Sequence, residues 1–175
     1  MKLLIFSDIH GSSYYANKLK EIVSNENPDK IVLLGDLYYH GPRNNLSQEY
    51  APMEVAKVLN ELKDKLMVVR GNCDAEVDEM ISEFKFEDHI FDTINGKRVY
   101  FTHGHKYNIE NIPYDDFEVL IYGHIHQGFI EKKEGFVFGV AAKMFTIAGP
   151  VLVYGIGTSV IIGLVYYVLG LMGIV

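Results

Sequence analysis

Short apolar runs, each closed by a polar cluster and a glycine, alternate through the first half of this chain with stretches whose apolar positions recur at helical spacing. Leu3 to Phe6, Lys30 to Leu34 and Leu66 to Val69 read as buried strands. Tyr14 to Asn25 and Pro52 to Lys63 read as helices, the second with proline in its first turn, where a missing N–H breaks no bond. The order is βαβαβ, which predicts a mostly parallel sheet with helices on its faces. From Ile90 onward the pattern changes. Asn95-Gly96 lies between Phe91 to Ile94 and Lys97 to Phe101, a hairpin signal because both turn positions tolerate positive φ. Val119 to Tyr122, Phe129 to Lys132 and Phe136 to Val140 read as further strands, with Glu134-Gly135 turning between the last two. The second half is expected to be largely antiparallel, without a long helix before the C-terminus.

The polar clusters carry the chemistry. Asp8 and His10 stand in SDIHG, Asp36 in LLGDL, Asn72 in VVRGNCD, His103 in FTHGH, and His124 with His126 in YGHIHQ. Each cluster follows an apolar run, so seven metal-type ligands are delivered from five strand ends to one sheet edge, where open α/β sheets bind their ligands. Carboxylate, imidazole and amide donors without a second cysteine suit Mn²⁺, Fe²⁺, Co²⁺, Ni²⁺ or Zn²⁺ better than a structural zinc or an iron–sulfur cluster. Seven donors exceed the needs of one ion that keeps water bound, so two ions are expected. Such pairs lie roughly 3.5 to 4 Å apart, ionise a bound water and stabilise charge in an in-line displacement, which fits phosphate-ester hydrolysis.

Composition narrows the class. The chain has 175 residues, 49% of them hydrophobic, which predicts one domain with a sizeable core plus an appendage. Its formal net charge is −7, so no basic surface for non-specific nucleic-acid binding is expected. Cys73 is the single cysteine, which excludes an internal disulfide. The start MKLLIFSD holds too short an apolar run for a signal-peptide core, and a cytoplasmic domain is expected.

The ordered set DxHG, GD, GNxD, HGH and GHxH resembles the calcineurin-like metallophosphoesterases. The stretches HGPRN, YAP, VRGNCD, THGH and YGH are similar to the bacterial YfcE-type phosphodiesterase branch of that superfamily, over about residues 1 to 138. The resemblance implies a four-layer α/β/β/α sandwich with a dinuclear site between two sheets. It implies Asp8, His10 and His126 on one ion, Asn72, His103 and His124 on the other, and Asp36 bridging them. His105 is then expected beside the ligands or facing substrate, with His103 or His105 stabilising charge during reaction.

Other positions keep two readings. Asp8 taken alone is the N-cap of the following helix. Cys73 stands where many relatives carry histidine; it is either a proton donor to the leaving group or a buried spectator. Asp74 is a cap for a helix from Ala75 or a partner that orients a neighbouring group. His40, Arg43 and Asn44 follow Asp36 on a long loop, either as donors to a phosphate oxygen or as surface residues of a Gly-Pro turn. Tyr38, Tyr39 and Tyr50 either stack on an aromatic leaving group or pack in the core.

Two segments are expected: a metallophosphoesterase domain over 1–140 and an apolar segment over 141–175. Residues 144–175 carry no charge, and the 25 residues from Val151 are long enough for one membrane-spanning helix. Lys132, Lys133 and Lys143 on its N-terminal side would tether the domain to the cytoplasmic face. Gly155, Ser159 and Gly163 form a small-residue stripe on which helices pack, and a homo-oligomer is one outcome. Substitute buried strands are the competing reading, and an artificial or frameshifted end is a third. The expected activity is hydrolysis of a small phosphodiester by a metal-held hydroxide. A phosphomonoesterase on the same site and a non-catalytic metal-binding scaffold are the alternatives.

Overall fold

The computed structural model describes residues 1–113 and 116–127 in full, and the backbone of the strands at 130–133 and 136–140. The first sheet comprises β1 (Leu3–Phe6), β2 (Lys30–Leu33), β3 (Leu66–Val69) and β4 (Phe86–Glu87) in the order β1-β2-β3-β4, all parallel. Helix α1 (Ser13–Glu26) connects β1 to β2, and α2 (Pro52–Glu61) connects β2 to β3. The strands advance in one direction across the sheet, and both helices pack into a single core on one face of it.

Helix limits follow local chemistry. The Ser12 hydroxyl caps α1 by accepting the Tyr15 N–H, so Asp8, four positions earlier, is not the cap and its side chain is free for other work. At the other end Asn27 turns left-handed at φ 41° and donates its N–H to the Val23 carbonyl. Helix α2 begins at Pro52 as read, but stops at Glu61 and continues as a short 3-10 turn, Lys63–Lys65. The two-residue strand β4 was not legible from patterning, and the helix read from Ala75 is only a 3-10 turn, Glu76–Met80.

The second sheet contains β5 (Ile90–Ile94), β6 (Lys97–Thr102), β7 (Val119–Tyr122), β8 (Ile130–Lys133) and β9 (Phe136–Val140) in the order β5-β6-β7-β9-β8. It is mixed rather than largely antiparallel: β6–β7 and β7–β9 pair parallel, and the β5–β6 and β8–β9 hairpins pair antiparallel. A parallel pair needs a crossover of a dozen or more residues. The segment after His103 supplies one without a helix among its described residues, so the sequence showed no crossover signal there.

Alternation along each strand divides the apolar residues between layers. Leu4, Phe6, Ile31, Leu33 and Val68 face α1 and α2. Leu3, Ile5, Val32, Leu34, Met67 and Val69 face Val99, Phe101, Val119 and Ile121 of the second sheet. Tyr100, Leu120 and Tyr122 point to the outer face of that sheet, where Ile109, Ile112 and Phe117 cover them. Fully burying one such side chain stabilises by about 1.5 to 3 kcal/mol, and the two sheets pack across six buried and six partly buried ones. The α/β sandwich of two facing sheets is as expected, with an irregular segment over the outer face among the described residues.

Residues 141–175 lie outside the described residues, and with them the membrane helix and the substitute strands read into that segment. Among the described residues, no helix is long and apolar enough to cross a membrane.

Candidate metal centre

The seven ligand-type residues stand at the C-terminal ends of five strands: β1, β2 and β3 of the first sheet, and β6 and β7 of the second. They meet at a rim shared by both sheets, not at the edge of one. The loops after β1 and β2 continue the ladder past the strands, with Asp8 N–H donating to the Gly35 carbonyl, His10 N–H to Asp36 and Gly11 N–H to Leu37. The loop after β7 is tied to the one after β6 by Gly123 N–H and the His103 carbonyl, 2.8 Å apart.

Five of the seven residues adopt a left-handed backbone: Asp8, His10, Asp36, His124 and His126, with φ between 49° and 71°. Each such residue costs about 1 kcal/mol or more in an L-amino acid. The turns persist because the loop hydrogen bonds over-determine them. His124 and His126 therefore lie on a tight turn, closed by Ile125 N–H and the Gly123 carbonyl at 2.9 Å, and not on an extended segment that alternates.

Two groups of ligand atoms converge. Asp8, His10 and His126 form one, with 3.1 Å between His10 Nε2 and His126 Nε2 and 3.1 Å between His126 Nε2 and Asp8 Oδ1. Asp36, His103 and His124 form the other, joined by Asn72, whose Oδ1 is 3.0 Å from His103 Nε2. His124 Nδ1 is 3.1 Å from the same nitrogen. Asp36 links them through a third group, with His10 and Cys73, and its Oδ2 lies 3.7 Å from His10 Nε2 and 3.3 Å from His103 Nε2.

The tautomers follow from carbonyl partners. His10 Nδ1 lies 2.8 Å from the Tyr39 carbonyl and His103 Nδ1 lies 2.7 Å from the Leu34 carbonyl. A carbonyl only accepts, so both Nδ1 atoms carry hydrogen and both Nε2 lone pairs point at the cluster, the arrangement of a metal-ligating histidine. His10, Asp36 and His103 are buried while Asn72 and His126 are exposed, and acceptor atoms gathered at such a rim favour a cation between them. Borderline-hard divalent ions fit this donor set of imidazole, carboxylate and amide.

The groups also shift one another electrostatically. Burial acts to raise the Asp36 carboxyl, but the His103 imidazole, the Cys73 N–H and His10 outweigh it and hold the group at about 2. Asp8 is likewise lowered against its burial, by His126, His103 and Ser7. His103 is raised: burial opposes its charge, and Asp36 and Asp8 more than offset that. His124 and His105 are lowered, by burial first and by His103 next.

Beside the cluster lies a cleft of about 270 Å³ lined by Gly41, Pro42, Arg43, Asn44, Cys73 and Ile125, with His10, Asp36, Asn72, His124 and His126 at its base. Arg43 and Asn44 thus share the cleft with the ligands, the Asn44 amide donating to the His40 carbonyl at 2.9 Å. His40 does not line the cleft; its ring packs edge-on against Tyr39 and Tyr50. Tyr38 is buried in the helix-side core with its hydroxyl on Ser82, so it is a packing residue. His105 is exposed, with its ring 5.3 Å from that of His103, and stands outside the cleft lining. Cys73 is half-buried beneath Gly41, and its thiol is pushed up to about 12 by burial first and then by Asp36.

Asp74 is not the cap of a helix from Ala75; it stands as a partner of a neighbouring loop. Its carboxylate accepts the N–H groups of Asp36, Leu37 and Gly71, while Asp78 accepts the Ala75 N–H. The residues that patterning did not reveal are Ile125 in the cleft wall, Ser7 on Asp8, and the carbonyls of Leu34 and Tyr39. SDIHG and GHIHQ place Ser7 and Ile125 beside ligands, but carbonyls carry no residue signature.

The chain belongs to the calcineurin-like phosphoesterase superfamily, whose domain matches residues 1–144. It is by that membership a phosphoric ester hydrolase. Phosphodiesterase YfcE of Escherichia coli strain K12 is 42% identical to it over 135 residues, covering 76% of this chain and 73% of that relative. The structure of the E. coli phosphoesterase YfcE matches with a TM-score of 0.77 and 36% identity over 82% of each chain. A novel archaeal phosphodiesterase matches with a TM-score of 0.60 and 23% identity over 85% of this chain and 88% of its own. Vps29 of Cryptosporidium parvum matches with a TM-score of 0.53 and 18% identity over 80% of this chain and 72% of its own. The last two show the shared fold.

Proposed function

We propose that this chain is a phosphodiesterase whose active site holds two divalent metal ions, Mn²⁺ in first place and Zn²⁺, Fe²⁺, Co²⁺ or Ni²⁺ as alternatives. Asp8, His10 and His126 hold one ion, Asn72, His103 and His124 the other, and Asp36 joins both. The position of Asp36 Oδ2 between His10 and His103 is the observation that carries this reading. Bound ions of this kind supply an ionised water as nucleophile near neutral pH and offset charge on phosphoryl oxygens.

The protein's own groups do the rest. Carbonyl-anchored His10 and His103 hold their Nε2 atoms in one orientation, so little reorganisation is needed during reaction. Arg43 offers a forked donor to a non-bridging oxygen, with Asn44 beside it, and the cleft has room for a phosphate and one small arm. Cys73 lines the cleft and, as a thiol, can give its proton to an alkoxide leaving group. The match to a phosphodiesterase at 42% identity supports a small phosphodiester as substrate. Residues 1–140 form the catalytic domain in this reading, acting in the cytoplasm.

Metal analysis of the purified chain, with turnover of a bis-aryl phosphate and an aryl monophosphate, tests the assignment. Two ions per chain and faster metal-dependent cleavage of the diester are expected. Faster cleavage of the monoester overturns the substrate class, and absence of metal-dependent turnover overturns the activity.

A further inference from the structure

We propose that Asp74 is a positioning residue that sets the bridging orientation of Asp36, so that the pairing of two ions depends on a carboxylate that contacts neither. The proposal rests on the two-ion reading above. Its basis is a reciprocal exchange between the loops after β2 and β3. The Asp74 carboxylate accepts N–H groups from Asp36 and Leu37 at 2.8 Å each and from Gly71 at 2.7 Å. In return, Cys73 donates its N–H to Asp36 Oδ1 at 2.7 Å.

The consecutive N–H groups of Asp36 and Leu37 form the kind of concavity that a left-handed residue creates for an anion, and Asp74 fills it. Asp36 sits there at φ 56°, a conformation it would otherwise leave. With its main chain held by Asp74 and its Oδ1 held by Cys73 N–H, only Oδ2 is left to face His10 and His103. The loops approach so closely that a Cβ on Gly71 would collide with both Oδ1 and the N–H nitrogen of Asp36. Asp74 is absent from the cleft lining, so it acts through Asp36 and not on substrate.

Asp78 provides the control. It is also a buried carboxylate in the same stretch, but it accepts the Ala75 N–H and none from the Asp36 loop. Asp74→Asn leaves one acceptor oxygen for three N–H groups, and its amide N–H₂ faces donors. The full-length metal-free chain and its Asp74→Asn and Asp78→Asn variants are titrated with Mn²⁺. Ion stoichiometry, affinity and the spin-coupled Mn²⁺-pair signal in electron paramagnetic resonance are read.

Asp74→Asn is expected to weaken Mn²⁺ binding by about 10- to 100-fold, the range for partners of metal ligands, and to lose the coupled signal. Asp78→Asn, with a similar fall in unfolding midpoint, is expected to keep both. Wild-type affinity and coupling in Asp74→Asn overturn the proposal, as does an equal loss in Asp78→Asn. If Asp74→Asn yields no folded protein, Asp74→Glu is judged by the same criteria. A wild-type chain without a coupled pair overturns the two-ion reading itself, a result distinguishable from failure of the Asp74 role.

Discussion

The carboxylate of Asp8 accepts the backbone N–H of His124 at 3.0 Å, across 116 positions of the chain. The same oxygen accepts the Ser7 hydroxyl at 2.6 Å, leaving Oδ1 toward His126. Asp8 therefore latches the β7 loop of the second sheet onto the β1 loop of the first while also offering a ligand. The two roles separate by substitution. Asp8→Asn keeps an acceptor for His124 N–H and should hold metal-free stability within about 1 kcal/mol, whereas Asp8→Ala should lose about 1 to 3 kcal/mol. Both should bind metal poorly. Denaturant unfolding in chelator measures the difference, and equal stability of the two variants would count against the latch.

Asp36 and His126 should differ in reach. Asp36→Asn removes the carboxylate that stands between His10 and His103 and, on the proposed two-ion reading, should depress binding of both ions, while His126→Ala should chiefly weaken one. Near-wild-type Mn²⁺-dependent turnover by Asp36→Asn would refute the bridging role. Asp36 also shapes acid stability. Its folded value of about 2 lies below the ordinary 3.8, so its contribution is full above roughly pH 4 and is lost as pH falls toward 2. The metal-free Asp36→Asn chain should show a shallower loss of stability across that window in acid titration followed by circular dichroism.

Cys73 should behave as a reluctant thiol. Burial and the neighbouring Asp36 push it up to about 12, against about 8.5 for an unperturbed cysteine. Iodoacetamide should label the metal-free chain slowly at pH 7, at a rate still climbing at about pH 10, above that ordinary value. Asp36→Asn should label faster at every pH. A rate that levels off near the ordinary thiol value would contradict this.

Arg43 is exposed on the cleft wall, so its removal should leave folding stability within about 0.5 kcal/mol. Loss of a charge-assisted contact of about 1.5 to 3 kcal/mol corresponds to roughly a 10- to 150-fold fall in kcat/KM on a phosphodiester for Arg43→Ala. Arg43→Lys should recover part of it, since an ammonium supplies charge without the fork. Unchanged kcat and KM in Arg43→Ala would remove the contact.

Much of this molecule is legible before folding. The strands β1, β2, β3 and β7 and both helices lie within a few residues of their pattern, because period-two and period-3.6 burial are local properties. The ligand set is visible for a related reason: Asp8, Asp36, Asn72, His103 and His124 each follow a strand, and a strand end leads directly to the rim. The parallel pairing of β6 with β7 was hidden because its crossover lacks a described helix. The place of His40 was hidden because loop direction after Asp36 depends on contacts with Tyr39 and Tyr50 rather than on spacing.

By itself, then, the sequence determined which residue types stand at which strand ends, since alternation and chemical identity are properties of neighbouring residues. Only the tertiary structure decided which oxygen of Asp36 faces the histidines, which nitrogen of His10 and His103 carries hydrogen, and that Asp74 serves the Asp36 loop. Those outcomes depend on main-chain N–H and carbonyl groups brought together from distant segments, and every residue presents a main-chain carbonyl whatever its side chain.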